Sequence, residues 1–436
     1  MIKRWTDVDK QNYMSRYDGH QHKIEKDLLL QAYSTTLLGA ENDLTMHGGG
    51  NTSVKKNIAH EGRAKRALYV KASGTPLNSF TPEHFVVMDL EFLESLKDRG
   101  SLDDETMARE FRNHQLINCD KLPSIESLMH AFIPAKFVAH THPSAILKIA
   151  NRIGGGELLK KCFGADIAVV QYAKMGYDLA KTVSDAVKQS PGSIGVVMRH
   201  HGLIVWGEDA REVYEKTIDI VTKAEKFLEK ILVRPIASAK QEMSTSKSIQ
   251  NFKTVVPMVM ESFLKIAQDN GDKKFSAEKI SLTLLNTADV LELIGSPEGK
   301  DIICNPPMTP DYPMHVWILP LWTDACLEGS FEKISTLIGN DIGEYASNHK
   351  KYLKAHDVTD FSTPDLLPRA VVHPQIGAIC FCLSDKNAYK IADFTRQAFS
   401  IRRAIAETGG VYESLPEKYL LDMQYRGYMQ GVRHVC

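Results

Sequence analysis

Apolar residues along the chain follow two rhythms, one helical and one strand-like. Between residues 25 and 40 (EKDLLLQAYSTTLLGA), Leu28, Leu29, Ala32, Leu37 and Leu38 fall on one face and predict a helix. Short apolar runs follow and predict strands that start at Ser53-Val54-Lys55 and cover 67–71 and 85–88. Thr81-Pro82-Glu83 has the form of a helix N-cap with proline in the first turn. Residues 104–118 and 124–133 read as helices, and 136–142 as a strand ending at Pro143. A buried strand over 194–198 runs into Arg199-His200-His201-Gly202. A long helix over 209–232 carries Val213, Ile220, Ala224, Phe227 and Ile231 at helical spacing. This mixture of strands and helices indicates an α/β or α+β class.

Periodicity stops at 237–247 (ASAKQEMSTSK), which is polar throughout, and a domain boundary is expected there. The expected domains are 1–240 and 248–436, the second also α/β. It holds a helix near 251–268, a proline-rich stretch over 305–313 and strands over 316–319 and 376–382. A helix over 386–407, striped by Ile391, Phe394, Ala398, Ile401 and Ile405, ends at Gly409 and Gly410. No window approaches 18 uninterrupted apolar residues, so no membrane span is expected. The polar N-terminus has no apolar core of a signal peptide.

Charge narrows the partners. With 53 basic and 54 acidic side chains the net charge is -1, which argues against nucleic acid and favours a small polar or anionic ligand held by local groups. The 7 cysteines are odd in number and form no CxxC pair, which fits free thiols in a reducing cytoplasm. Cys380 and Cys382 sit in an apolar run and are expected to pack.

Candidate chemistry gathers at strand ends. Alternation puts His140 and His142 on the same face of one strand. His201 closes another strand, and Gly202 lets the chain turn away. Should the two ends be neighbours, three imidazoles converge as in an open catalytic metal site. An isolated His-x-His is as well explained by satisfied histidines, so the second strand end carries the metal reading. Glu126, in Pro123-Ser124-Ile125-Glu126, is either a residue that compensates a helix dipole or a proton carrier beside the metal. His130, one turn further on, either supports it or packs. Gly50-Asn51 in HGGGNTSVK, Ser73-Gly74 and Ser124 are small donors at turns, either three unrelated turns or an anion cradle.

Five ordered motifs resemble the class II aldolase/adducin family over roughly 25–235: HGGGNTSVK, VKASGTPL, PSIESLMHAFIPAKFVAHTHPSAI, QYAKMGYDLAK and RHHGLIVWG. LPRAVVHPQIGAICFCLSDKNAYKIADFTRQAF and GGVYESLPEKYLLDMQYRGYMQ are similar to the end of the aldolase half of bifunctional rhamnulose-1-phosphate aldolase/lactaldehyde dehydrogenases. No GxGxxG dinucleotide unit follows, so the dehydrogenase half is expected to be absent.

The resemblance implies a three-layer α/β/α sandwich around a mixed sheet, followed by the C-terminal α/β domain. It also implies a cytoplasmic homotetramer with the site between subunits. By motif position His140, His142 and His201 match the ligands of a divalent metal, zinc first, and Glu126 the catalytic acid/base. Gly50, Asn51, Ser73, Gly74 and Ser124 match phosphate-binding turns, although Ile125 stands where fuculose-1-phosphate aldolase has a second serine. Tyr172 matches a tyrosine that donates a proton from the neighbouring subunit. The implied activity is that of a lyase cleaving a ketose 1-phosphate of the rhamnulose or fuculose type into dihydroxyacetone phosphate and an aldehyde. Family alternatives are a pentulose-phosphate 4-epimerase, which typically carries aspartate in place of Glu126, a sugar-acid decarboxylase, and a non-enzymatic adducin-like binding protein.

Overall fold

The computed structural model describes residues 1–19, 24–236, 243–313, 319–358 and 361–421. The chain forms two compact units that part between Leu232 and Val233. Residues 237–242 of the expected boundary, 316–318 of one expected strand, and 422–436 with the end of the last motif lie outside the described residues.

The first unit is built on a seven-stranded sheet, ordered β3-β2-β1-β4-β7-β6-β5. Its strands are β1 (Asn51–His60), β2 (Arg63–Lys71), β3 (Phe85–Asp89), β4 (Phe137–Thr141), β5 (Ile167–Val170), β6 (Gly195–Met198) and β7 (Gly202–Gly207). β5 and β6 are parallel and every other neighbouring pair is antiparallel. These directions bring the starts of β1, β3 and β7 and the ends of β2, β4, β5 and β6 to one edge of the sheet. Every predicted site residue of this unit lies at or next to that edge.

Helices cover both faces. Lys26–Gly39, Ser144–Ala150, Gly155–Phe163 and Ala210–Lys230 pack among themselves on one side. Leu90–Ser95, Ser127–Phe132 and Tyr177–Gln189 pack together on the other. Phe137 and Ala139 of β4 and Leu203 and Val205 of β7 join the core beneath the first set, with Ala32, Leu38, Val213 and Ile218. By alternation His140 points to the opposite face, where Glu126 precedes the short helix Ser127–Phe132.

Two expected helices are shorter than their apolar spacing suggests. The one over 104–118 ends at Asn113. Beyond His114 the chain joins β3, since Gln115 pairs with Met88 and Leu116 N–H donates to Val87 O. Pairing with a strand edge satisfies these backbone groups in place of another helical turn. The helix over 124–133 covers only Ser127–Phe132. Ser124 N–H donates to Lys71 O, which keeps this segment beside the end of β2 and leaves Glu126 at the N-cap. The 81–84 signal is a single turn, with Thr81 and His84 in a capping box.

The second unit has a four-stranded sheet ordered β8-β11-β10-β9, with β8 Ser281–Leu285, β9 Leu321–Trp322, β10 Ala370–His373 and β11 Gly377–Cys382. The helix Asp385–Glu407 buries the predicted stripe of Ile391, Phe394, Ala398, Ile401 and Ile405. Cys380 and Cys382 are fully buried in β11, as their apolar run implies.

Candidate active site

Glycine makes the strand starts at this edge possible. Gly50 has φ +67°, and a Cβ there would lie 2.7 Å from His140 O and 2.9 Å from Thr45 Cγ2. At Gly202 a Cβ would lie 2.3 Å from Thr141 O and 2.8 Å from His142 Cδ2. No larger residue lets β1 and β7 begin so close to β4. Asn51 pairs with His140, and Thr141 with Leu203, so the β1 and β7 starts flank the end of β4.

His140, His142 and His201 converge there. Each offers one nitrogen, and the three atoms lie within 4.8 Å of one another. Their ring centroids are 4.7, 4.9 and 5.1 Å apart. A tetrahedral zinc site with ligands at about 2.0–2.1 Å separates its nitrogens by about 3.3 Å, so the group is near that geometry. His140 Nδ1–H donates to Leu203 O at 3.0 Å, which leaves the lone pair on Nε2, directed toward the other rings. Burial lowers the His140 imidazole to about 3, so it is the neutral ring a metal requires.

Glu126 closes the group. It is 4% exposed, with Oε1 3.2 Å from His201 Nε2 and Oε2 3.4 Å from His140 Nε2. Burial by itself pushes the carboxyl up; the imidazoles of His140 and His201 outweigh this and hold it well below the usual carboxylate range. Both ring nitrogens of His201 and Oε1 of Glu126 are buried without a hydrogen bond. A neutral imidazole has one lone pair and one N–H, so a divalent cation among the three rings takes up the lone pair of one His201 nitrogen and lies beside the Glu126 oxygen. The donor set therefore fits a metal held by His140, His142 and His201, with Glu126 beside it.

Behind Glu126 runs a chain of oriented hydrogen bonds. Ser53 Oγ–H donates to His130 Nδ1 at 2.7 Å, and His130 Nε2–H donates to Asn51 Oδ1. Asn51 Nδ2 then donates to Glu126 Oε2 at 2.7 Å and to Ser124 Oγ at 3.0 Å. His130 is fully buried, and burial lowers it to about 3, so one nitrogen accepts while the other donates. Its ring supports the Glu126 carboxylate through Asn51, while the two backbones meet where His130 N–H donates to Glu126 O. Asn51, expected on the anion, is engaged with the carboxylate, and Ser124 Oγ accepts from Asn51 Nδ2 and from the Glu126 N–H.

The remaining predicted donors form the rim beside the rings. Gly74 is exposed and Ser73 half-buried. The Gly48–Gly49 and Gly74 turns touch, since a Cβ on Gly48 would lie 3.5 Å from Gly74 O. Against the rings, a Cβ on Gly49 would lie 3.5 Å from His142 Nδ1. Lys71, which the motif reading passed over, joins the turns from behind: Nζ donates to Gly48 O at 3.0 Å and to Thr75 O at 2.7 Å. Its signal was a charge on the last position of an otherwise apolar strand end. Tyr172 lies in the loop after β5, at the same edge but three strands from β4.

Comparison with known proteins agrees with this architecture. Residues 31–228 match the model of the class II aldolase and adducin N-terminal domain, and 253–427 that of the second domain of class II aldolases. The chain is 32% identical to the solved N-terminal class II aldolase domain of a conserved Thermoplasma acidophilum protein, covering 52% of this chain and 99% of that one with a TM-score of 0.46. The protein belongs to the class II aldolase/adducin family. It is 27% identical to the uncharacterized oxidoreductase YuxG of Bacillus subtilis over 90% of this chain, and spans only 56% of that protein's length. To the L-fuculose phosphate aldolase of Methanococcus maripaludis it is 25% identical, over 39% of this chain and 78% of that one.

Two outcomes are expected from this geometry. Replacing any one of His140, His142 and His201 with alanine lowers divalent-metal affinity by at least tenfold, read by titration of the metal-stripped protein; unchanged affinity in all three variants contradicts the assignment. The second concerns acid. His130 stays neutral in the fold down to about 3, whereas in the unfolded chain it takes a proton near 6.5. Below pH 6.5 the unfolded state thus binds the extra proton, and stability falls as pH falls. The stability gap between the wild type and His130→Gln, both metal-free, narrows by about 2 kcal/mol from pH 6.5 to 5 in urea unfolding. A gap independent of pH contradicts the buried neutral role.

Proposed function

We propose that this protein is a metal-dependent aldolase that cleaves a ketose 1-phosphate into dihydroxyacetone phosphate and an aldehyde. The observation that carries the reading is a buried carboxylate, Glu126, 3.2–3.4 Å from two of three clustered imidazoles. Breaking a carbon–carbon bond beside a ketone leaves negative charge on the keto fragment. A divalent cation, zinc first, held by His140, His142 and His201, supplies the Lewis acidity that draws off this charge.

The rest belongs to the side chains. Net cleavage moves one proton from the hydroxyl of the carbon that becomes the aldehyde to the carbon left behind. Glu126 is ionised, buried and fixed by the Asn51 amide, so it can carry that proton without reorienting. The neutral His130 keeps Asn51 turned with its NH2 toward Glu126. Tyr172, reaching in from a neighbouring subunit of a homotetramer, is the second proton carrier in this proposal. The rim of Gly48–Gly50 and Ser73–Gly74 receives the phosphate and fixes the orientation. A cytoplasmic location accompanies the reading, and no described helix is long and apolar enough to cross a membrane.

The test is a panel of ketose 1-phosphates and pentulose phosphates assayed with and without chelator. The expected result is dihydroxyacetone phosphate that EDTA abolishes and Glu126→Gln reduces by about 10²–10⁴-fold. Epimer formation without cleavage moves the assignment to a pentulose-phosphate epimerase. Turnover unaffected by both EDTA and Glu126→Gln overturns the metal–carboxylate mechanism.

A further inference from the structure

The second unit holds a cavity of its own, and nothing in the mechanism above uses it. Its volume is about 740 Å³, within the range of roughly 300–1,000 Å³ that small-molecule sites occupy. One wall is the helix Phe331–Ala355, whose apolar stripe of Ile334, Ile338, Ile342, Ala346 and Leu353 is already buried. A second stripe of the same helix, Asp341, Glu344, Tyr345, Asn348, His349 and Tyr352, lines the cavity. Its spacing is helical, but it is aromatic and polar where a packing face is apolar. The rings of Tyr345, His349 and Tyr352 run along this wall nearly parallel. Successive centroids are 5.8 and 6.1 Å apart, with interplanar angles of 17° and 13°. Trp322 of β9 adds another ring to the lining, and Glu417 a third carboxylate.

The charge of this lining has one sign. Asp341, Glu344 and Glu417 are carboxylates, and among the described residues no lysine or arginine lines the cavity. Burial lowers the His349 imidazole to about 4, so it brings no positive charge at neutral pH. The Tyr352 hydroxyl is buried without a hydrogen bond. Burial and the Glu417 charge push it up to about 12, so it keeps its proton.

We propose that this cavity binds a small organic cation, an ammonium or guanidinium group on an apolar body. Aromatic rings and carboxylates together attract such a group, the rings by their quadrupole and the carboxylates by their charge. Leu321 and Leu415, also in the lining, suit the apolar body. A neutral sugar uses the same rings but leaves the three carboxylates without counter-charge, so charge decides between the two. The inference is independent of the aldolase reading, since it concerns another unit and none of the residues placed around the three imidazoles.

The test is calorimetry on the full chain with tyramine, agmatine and choline as probes. Para-ethylphenol, which is tyramine without its amine, and glucose are the uncharged comparisons. At least one of the three cations is expected to bind with a Kd below about 1 mM, and para-ethylphenol at least tenfold more weakly than tyramine. Glu344 is exposed, so Glu344→Gln removes one charge without disturbing the core, and it is expected to weaken the cation at least threefold. Glu332→Gln, in the first turn of the same helix and outside the cavity, is expected to leave the affinity unchanged. Tyr352→Leu removes a ring and is expected to weaken the cation at least threefold; should it not fold, the two glutamate variants carry the test. Binding of none of the three cations overturns the proposal. So does a cation whose affinity is the same in Glu344→Gln as in the wild type, or para-ethylphenol bound as tightly as tyramine. Glucose bound where no cation binds makes the cavity a carbohydrate site and overturns it as well. Cation binding that depends on Glu344, in a protein that releases no dihydroxyacetone phosphate, leaves this inference standing and removes the aldolase reading alone.

Discussion

The antiparallel register of β1, β4 and β7 is the constraint on which the site depends. It sets Asn51 opposite His140 and Leu203 opposite Thr141, so three chain segments far apart in sequence present side chains within a few ångströms. A slip of one residue turns every side chain of a strand to the opposite face. His140 would then enter the apolar layer beneath Lys26–Gly39 and Ala210–Lys230, and Ala139 would face Glu126. The register is secured by that apolar layer, where Phe137, Ala139, Leu203 and Val205 leave no room for such a slip. The candidate metal site on one face is thereby held by hydrocarbon packing on the other.

A second constraint is the expense of burying so many polar groups. Glu126, His130, His140, His201, Asn51 and Lys71 are all almost removed from water. Such a cluster is tolerable only when each member has a defined partner. The Ser53–His130–Asn51–Glu126 chain does this for the carboxylate, and Leu203 O does it for His140. The groups left over, the His201 ring and one oxygen of Glu126, belong to or lie beside the three-histidine group that could hold a cation. Satisfaction elsewhere makes these buried atoms without a hydrogen bond informative.

The scaffold itself does not choose a reaction, since one fold hosts many chemistries. Here the family assignment establishes the architecture, and the residues around the rings carry the argument about chemistry.

Much of this could be read along the chain. The His-x-His spacing and the His201-Gly202 strand end named the triad, because period-two alternation is a local property. The long helix after β7 and the stripe of Ile391, Phe394, Ala398, Ile401 and Ile405 were legible for the same reason. Local spacing could not say that the segment around Ser124 belongs to the end of β2, which shortens its helix and puts Glu126 at the cap. Nor could it show that Asn51 serves the carboxylate with Ser124 beside it, or that Lys71 is enclosed by two turns. Those facts depend on which strand edges and turns meet, and hydrogen bonds between separate segments leave no periodic trace. The sequence by itself determined which candidate groups stand at strand ends and at what spacing; the tertiary structure alone decided their partners, because partnership is a matter of distance and burial.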